Sequence, residues 1–221
     1  MTFDNATLEM LKAGLFDTLF MVFLSSFFAY LIGIPLGIIL VVTDKEGIYP
    51  IPWLQKVLGI AINLLRSIPF IILLILVLPF TEFLLGTTLG AKAVVPPLVI
   101  AAAPYVARMV ESSFREVDGG VIEAAKSMGA STMQIVWKVL LPEAKPSLLV
   151  GAAISITTIL GYSTMAGFTG GGGLGDIAIR YGYYRYETGM MLVTVAVLVI
   201  IVQIIQEAGI KWSKKSDKRI R

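Results

Sequence analysis

Three long stretches of this sequence contain no charged residue, and they constrain the fold more than any other feature. Residues 18–43, 146–175 and 188–206 have no Asp, Glu, Lys or Arg over 26, 30 and 19 positions. A helix needs roughly 20 apolar residues to cross the hydrocarbon core of a bilayer. A soluble chain would carry about 25% charged residues, whereas this chain has 15%. The sequence therefore predicts an integral membrane protein.

We expect an all-α integral membrane fold with five transmembrane helices. The hydrophobic pattern predicts these helices at about residues 15–42, 57–80, 93–110, 147–168 and 188–208. In the first of them, Gly33 and Gly37 form a G-x-x-x-G pattern with Pro35 between them. This pattern indicates either a kink or a surface for close helix packing.

The distribution of Lys and Arg predicts the orientation of the chain in the membrane. Thirteen of the 18 basic residues lie in three segments, 43–56, 108–146 and 211–221, and only four lie in the segments on the other side. Cytoplasmic loops of membrane proteins carry the excess of Lys and Arg. We therefore predict that the N-terminus is outside and the C-terminus is cytoplasmic. Residues 209–221 are interpreted as a basic cytoplasmic tail that attracts anionic membrane lipid, and not as a nucleic-acid-binding segment.

The chain contains neither cysteine nor histidine. This composition excludes disulfides, zinc sites built from these residues, and Ser-His-Asp or Cys-His catalytic sites. We predict no catalytic residue, no metal site and no cofactor. Gly170, Gly172 and Gly175 have the spacing G-x-G-x-x-G, but no predicted strand precedes them and the predicted topology places them outside. They are therefore not interpreted as a nucleotide site.

Residues 121–147, VIEAAKSMGASTMQIVWKVLLPEAKPS, interrupt the apolar pattern with five charged side chains; we call them the EAA segment. Gly129 predicts the end of a first short helix, and Ser131 with Gln134 predicts a capping box at the start of a second. Pro142 is expected to end that second helix. Its apolar stripe consists of Met133, Val136, Trp137 and Leu140. Amphipathicity alone would equally fit two helices that lie in the lipid interface.

The spacing of particular residues within the EAA segment favours a more specific interpretation. It follows the pattern E-A-A-x3-G-x9-I-x-L-P through Glu123, Ala124, Ala125, Gly129, Val139, Leu141 and Pro142. This spacing resembles the EAA motif of type I permease subunits of bacterial ABC importers, with Val139 in place of isoleucine. In that family the segment is the cytoplasmic coupling-helix pair between helices 3 and 4, and it docks into a cleft on the ATPase subunit. The resemblance implies that these residues couple the chain to the ATPase, with Glu123 accepting charge-assisted hydrogen bonds.

Three further segments resemble the permease of the methionine importer subclass: LLRSIPFIILL (64–74), APYVARMVE (103–111) and GFTGGGGLGDIAIRYGYYRYE (167–187). The resemblance implies a permease domain over residues 12–208 in the bacterial cytoplasmic membrane. It also implies a homodimer, two copies of an ATP-binding subunit at the cytoplasmic face, and an extracytoplasmic amino-acid-binding lipoprotein. The chain itself would not be an enzyme. The implied substrate is methionine, including D-methionine, and the alternative is another amino acid or a small peptide.

Three side chains are candidates for the substrate pathway. Arg66 is a charge inside a predicted membrane helix, where it either contacts a substrate carboxylate or pairs with a carbonyl or an acidic side chain such as Glu111. Tyr162 and Met165 are three residues apart on one helix face. An aromatic ring beside a flexible thioether suits an apolar amino-acid side chain, although packing at a dimer interface would also explain the pair.

Two other classes of membrane protein fit the sequence less well. A lipid-modifying enzyme would need several polar or charged groups that converge, and only one charge, Arg66, lies away from the ends of the predicted membrane helices. A stand-alone channel or secondary transporter commonly contains internal repeats, and none is evident. We therefore interpret the chain as a transport subunit that depends on a separate ATPase.

Overall fold

The computed structural model describes residues 5–217, and these residues contain helices and turns but no β-strand. The helices are α1 (Asn5–Val42), α2 (Pro52–Ser67), α3 (Phe70–Leu85), α4 (Ala91–Arg115), α5 (Gly119–Ser127), α6 (Thr132–Ile135), α7 (Leu141–Met165), α8 (Gly173–Ile177) and α9 (Thr188–Ser216). A π-helical turn (Val136–Leu140) joins α6 to α7, a 3₁₀ turn (Ala166–Thr169) follows α7, and a second π-helical turn (Ala178–Tyr183) follows α8. The all-α prediction is confirmed.

Within residues 5–217, four helical stretches are long and apolar enough to cross a membrane. They are Asn5–Val42, Ala91–Arg115, Thr132–Thr169 and Thr188–Ser216. α2 and α3 pass the same test only as a pair, and this pair brings the number of possible spans to five. The predicted number of crossings agrees with this arrangement.

The second crossing, however, is not the continuous helix predicted over residues 57–80. α2 ends at Ser67 and α3 begins at Phe70, and Pro69 between them has φ −56° and ψ 134°, an extended conformation. Proline has no N–H to donate, and its ring disfavours a helical conformation in the residue before it. Ile68 and Pro69 therefore separate two helices where the hydrophobic pattern alone predicts one.

The prediction that Pro142 ends a helix is also wrong. The Leu141 N–H donates to the Val136 carbonyl, five residues back, and the helix continues through Pro142 into α7. In a regular α-helix the proline ring would clash with the carbonyl four residues earlier. The wider π-helical turn moves that carbonyl away, so the chain keeps its helical course.

The chain divides into two compact units, each assembled from separated segments. The first unit contains Met1–Phe28, Ile68–Ala102 and Ile156–Ile205. The second unit contains Ala29–Ser67, Ala103–Ser155 and Gln206–Arg221, and therefore includes the whole EAA segment.

In the second unit α1 packs closely on α4 through the G-x-x-x-G pattern. A Cβ atom added to Gly33 would lie 2.7 Å from Cβ of Val106, and one added to Gly37 would lie 2.6 Å from Cβ of Val110. Small residues allow two membrane helices to approach at this distance. Of the two interpretations of this pattern, the structure therefore supports the packing surface.

In the first unit the glycine-rich run packs against α1. Gly172 and Gly173 have φ values of 75° and 78°, which favour glycine. The Leu174 N–H at the start of α8 donates to Oγ1 of Thr18 over 2.8 Å, in a buried contact. Gly173 allows this contact, because a Cβ there would lie 2.8 Å from the same Thr18 oxygen. These glycines serve backbone packing inside the unit.

Candidate functional site

The first helix of the EAA segment, α5, begins with a side-chain cap. Oδ1 of Asp118 accepts a hydrogen bond from the Gly120 N–H over 2.7 Å, and it satisfies one of the free donors at the helix start. Of the motif residues on α5, Glu123 and Ala124 are exposed, whereas Ala125 is 4% exposed. Glu123 and Ala124 are therefore available to a partner, and the small side chain of Ala125 packs inside the chain.

Gly129 reverses the chain after α5 in a left-handed conformation, with φ 77°. The Ala130 N–H donates to the Ala125 carbonyl over 3.1 Å, and the Gly129 N–H donates to the Lys126 carbonyl over 2.9 Å. This pair of bonds is a Schellman motif, in which the residue with positive φ is usually glycine. Because nothing lies within 4 Å of a Cβ added there, the backbone conformation and not a lack of space requires the glycine.

The predicted capping box at the start of α6 is confirmed. The Ser131 N–H donates to Oε1 of Gln134 over 2.8 Å, and the Gln134 N–H donates to Oγ of Ser131 over 3.4 Å. These reciprocal bonds fix the start of a helix that is only four residues long before the π-helical turn. The turn between α5 and α6 is thus defined on both sides by local hydrogen bonds.

The apolar side chains of this segment face in two directions. Val136 and Leu140 are buried, whereas Met133 and Trp137 of the predicted stripe are 65% and 62% exposed. Trp137 Nε1 donates to Sδ of Met133 over 3.0 Å, and Met128 on the preceding turn is 81% exposed. We call Met128, Met133 and Trp137 the exposed apolar face. Of the remaining motif residues, Val139 and Leu141 are half-buried and Pro142 is exposed.

Arg66 lies in the last turn of α2, and its side chain is exposed. Its guanidinium lies over the ring of Tyr105, 5.7 Å from the ring centre. This is a cation–π contact. Glu111, the acidic partner suggested by the sequence, instead pairs with Arg108 and Arg115.

The pairing of Glu111 is part of a group that sequence reasoning missed, which we call the ionic cluster: Asp44, Arg108, Glu111 and Arg115. Oε2 of Glu111 lies 2.6 Å from Nη1 of Arg108, and Oε1 lies 2.9 Å from Nη2 of Arg115. Nη2 of Arg115 also lies 2.5 Å from Oδ2 of Asp44. The spacing of Arg108, Glu111 and Arg115 at i, i+3 and i+7 is the sequence signal that places them on one face of α4.

Tyr162 and Met165 lie at the end of α7, in the first unit, whereas Arg66 belongs to the second. The ring of Tyr162 stacks on Phe70, the first residue of α3, with ring centres 4.7 Å apart and an interplanar angle of 7°. Met165 is 45% exposed. The half-buried tyrosine therefore has a defined position, and the methionine is accessible from outside the chain.

Comparisons with known proteins agree with these features. The family described as binding-protein-dependent transport system inner membrane component matches residues 33–209. A probable D-methionine transport system permease protein MetI of Vibrio cholerae is 46% identical over 211 residues, which are 96% of this chain and 94% of that protein. The methionine import system permease protein MetP of Bacillus subtilis is 44% identical over 217 residues, 98% of each chain.

Solved structures show the same likeness. A chain from inward-facing conformations of the MetNI methionine ABC transporter has a TM-score of 0.95 and 43% sequence identity, over 97% of this chain and all of that chain. A chain from an amino acid ABC transporter crystallised with histidines has a TM-score of 0.77 at 21% identity. The second comparison is evidence for the fold alone.

Proposed function

The chain belongs to the family of binding-protein-dependent transport system inner membrane components, and from this membership we propose that it is the membrane-spanning permease subunit of an ATP-driven methionine importer. The resemblance derived from the EAA segment is thereby confirmed at the level of the family. The observation that supports methionine as the substrate is the alignment of nearly the whole chain with relatives named as methionine permeases. D-methionine is included, because the relative from Vibrio cholerae is named for it.

The proposed unit of function is an assembly. Residues 5–217 of one chain contain at most five possible spans, so two copies around a two-fold axis would enclose the pathway. The similar solved chain comes from an ABC transporter, which supports pairing with a separate ATP-binding subunit. We assign residues 12–208 to the permease domain, with 209–221 as a basic tail. Two copies of the ATPase and an extracytoplasmic binding lipoprotein complete the proposed assembly.

We propose the orientation predicted from the basic residues, with the EAA segment in the cytoplasm. The segments assigned to the cytoplasm, 43–56, 108–146 and the described part of 211–221, all belong to the second unit. The four basic residues assigned to the outside all belong to the first unit: Lys12, Lys92, Arg180 and Arg185. The basic residues that the positive-inside rule assigns to different sides of the membrane therefore belong to different units.

We propose that the EAA segment binds the ATPase through Glu123, Ala124 and the exposed apolar face. Trp and Met side chains are enriched at protein interfaces, and the exposed carboxylate of Glu123 can accept charge-assisted hydrogen bonds from a basic partner group. The Schellman turn at Gly129 holds α5 and α6 in a fixed relation. The ATPase would therefore meet a preorganised surface, which reduces the entropy lost on binding.

Co-purification tests this interface. Glu123→Ala removes the exposed carboxylate, and Gly129→Pro abolishes the left-handed turn and the Gly129 N–H. Both variants are expected to reach the membrane but to lose association with the ATPase. The matched control is Glu187→Ala, which removes an exposed carboxylate from the first unit and is expected to leave association unchanged. Normal co-purification of the ATPase with both variants would overturn the proposed interface.

Uptake tests the substrate. Liposomes that contain this chain, its ATPase and its binding protein are expected to accumulate labelled L-methionine only when ATP is present. D-methionine is expected to compete, whereas unrelated amino acids and small peptides are not. ATP-driven uptake of another labelled amino acid, without uptake of methionine, would reassign the substrate. Accumulation without ATP would indicate a secondary transporter instead.

We retain Tyr162, Met165 and Arg66 as proposed pathway residues. The flat surface of the Tyr162–Phe70 stack and the accessible thioether of Met165 suit an apolar amino-acid side chain. Among residues 5–217, the Arg66 guanidinium contacts the ring of Tyr105 and forms no ion pair, so its charge is not neutralised by a carboxylate. An arginine without a carboxylate partner is better suited to bind the carboxylate of a passing amino acid than an arginine that is already in a structural ion pair.

A further inference from the structure

The ionic cluster links three elements of the second unit. On α4, the Glu111 side chain is 6% exposed and bridges Arg108 and Arg115. Arg108 Nη2 donates to the Gly59 carbonyl over 3.0 Å and to Oδ1 of Asn63 over 2.9 Å, and both residues lie on α2. At the other end, Arg115 reaches Asp44 in the loop between α1 and α2. A continuous chain of polar contacts therefore runs from α2 across α4 to this loop.

Burial of the Arg108–Glu111 pair at the centre of this cluster is costly for stability, because these side chains are only 22% and 6% exposed. Nε of Arg108 is buried and has no hydrogen-bond partner among the described residues. A buried ionic group of this kind is often no more stabilising than apolar side chains of similar volume, and an unpaired buried donor adds a further cost. Stability alone is therefore a poor explanation for the cluster, and geometric positioning is a better one.

The same loop also contacts α5, the first helix of the EAA segment. Nζ of Lys126 donates to the Gly47 carbonyl over 3.4 Å. Beside this contact, a cavity of about 330 Å³ separates the loop from the start of α5 and is lined by Asp44, Gly47, Gly119 and Ile122 among others. The loop is thus joined to α5 by the Lys126 hydrogen bond and to α4 by the ion pair between Asp44 and Arg115.

We propose that the ionic cluster transmits displacement of the EAA segment to α2, with Glu111 as the central positioning residue. When the ATPase moves α5, the loop held by Lys126 and Asp44 moves Arg115. Glu111 passes this movement to Arg108, which holds the last turns of α2 near Arg66. This inference rests on the proposed function, because it requires that the EAA segment bind an ATPase.

Glu111→Gln tests the proposal in the assembled transporter in liposomes, with labelled methionine uptake and ATP hydrolysis measured together. An amide oxygen accepts from one arginine, and the amide nitrogen cannot accept from the other, so the bridge is lost at nearly constant volume. We expect the ATP hydrolysed per methionine transported to rise about threefold or more, while the ATPase still co-purifies. Glu116→Gln removes an exposed carboxylate five residues further along the chain and is expected to leave the ratio unchanged.

The outcomes separate the possible roles. A merely structural role would lower the yield of folded protein and reduce uptake and hydrolysis in proportion, and an unchanged ratio would overturn the proposal. If the Glu111→Gln variant does not assemble, the same measurement is made with Asp44→Asn, which changes the half-buried end of the cluster. An unchanged ratio of ATP hydrolysed to methionine transported in that variant would also overturn the proposal. Absence of ATP-driven uptake by the unaltered complex would overturn the proposed function and this inference together, whereas normal uptake with an unchanged ratio overturns only the inference.

Discussion

The close approach of α1 and α4 predicts that Gly33→Ala and Gly37→Ala each destabilise the protein. A Cβ at position 33 would lie 2.7 Å from Cβ of Val106 and 2.9 Å from the Ala103 carbonyl oxygen. At position 37 the nearest atoms are Cβ of Val110 at 2.6 Å and the Ala107 carbonyl oxygen at 2.7 Å. Backbone atoms are among these neighbours, so rotation of a side chain cannot relieve the overlap, and the helices must separate.

The magnitude follows from two opposing effects. Overpacking of a well-packed contact costs about 1–3 kcal/mol, and the higher helix propensity of alanine offsets up to about 1 kcal/mol of this cost. Each variant should therefore lose about 1–2 kcal/mol of unfolding free energy. For a chain of this length the loss corresponds to a fall in Tm of about 2–8 °C.

Intrinsic tryptophan fluorescence on heating in detergent measures this change. The three tryptophans, Trp53, Trp137 and Trp212, all belong to the second unit, as do both glycines. Gly119→Ala is the matched control, because nothing lies within 4 Å of a Cβ there and Tm should stay within about 2 °C of the parent. If Gly33→Ala and Gly37→Ala unfold at the same temperature as this control, or above it, the close helix contact is refuted.

Three further substitutions test individual contacts. Thr18→Val leaves a buried N–H without its acceptor and should cost about 1–3 kcal/mol, measured by thermal unfolding. Thr194→Val, whose hydroxyl donates only within its own helix, should cost less. Equal losses would contradict the bond between α8 and α1. Ser131→Ala should cost about 1 kcal/mol at the start of α6, seen as faster amide hydrogen exchange there, and unchanged exchange would contradict the cap. Tyr162→Ala should lower Tm by removing the stack on Phe70, with about 0.5–1.5 kcal/mol from the aromatic pair itself. Tyr162→Phe should retain that stability, and equal effects of the two changes would exclude stacking as the cause.

The local features of this protein could be predicted from the sequence because their causes lie within a few residues. Long uncharged runs predicted the membrane helices, since a bilayer accepts few other sequences. The capping box of Ser131 and the turn at Gly129 depend on hydrogen bonds between neighbours in the chain. The EAA spacing likewise indicated the family, because the motif is a pattern of residues within one short segment.

Features that depend on contacts between distant segments required the tertiary structure. The sequence alone could not decide whether Gly33 and Gly37 form a kink or a packing surface, because the answer lies on α4. The sequence also suggested Glu111 as a partner of Arg66, whereas in the structure this carboxylate forms ion pairs with Arg108 and Arg115.

The continuous helix predicted across Pro69 and the helix end predicted at Pro142 were both wrong, and the two errors have a related physical cause. Pro69 separates two helices and Pro142 does not interrupt one, although both lack an N–H. The difference is that a π-helical turn accommodates the ring of Pro142, whereas an extended residue stands at Pro69. The sequence thus determined which segments enter the membrane and where the helices are capped. Only the tertiary structure determined which helices touch, which charges pair and which proline the backbone accommodates, since these outcomes depend on interactions across the fold that no local pattern contains.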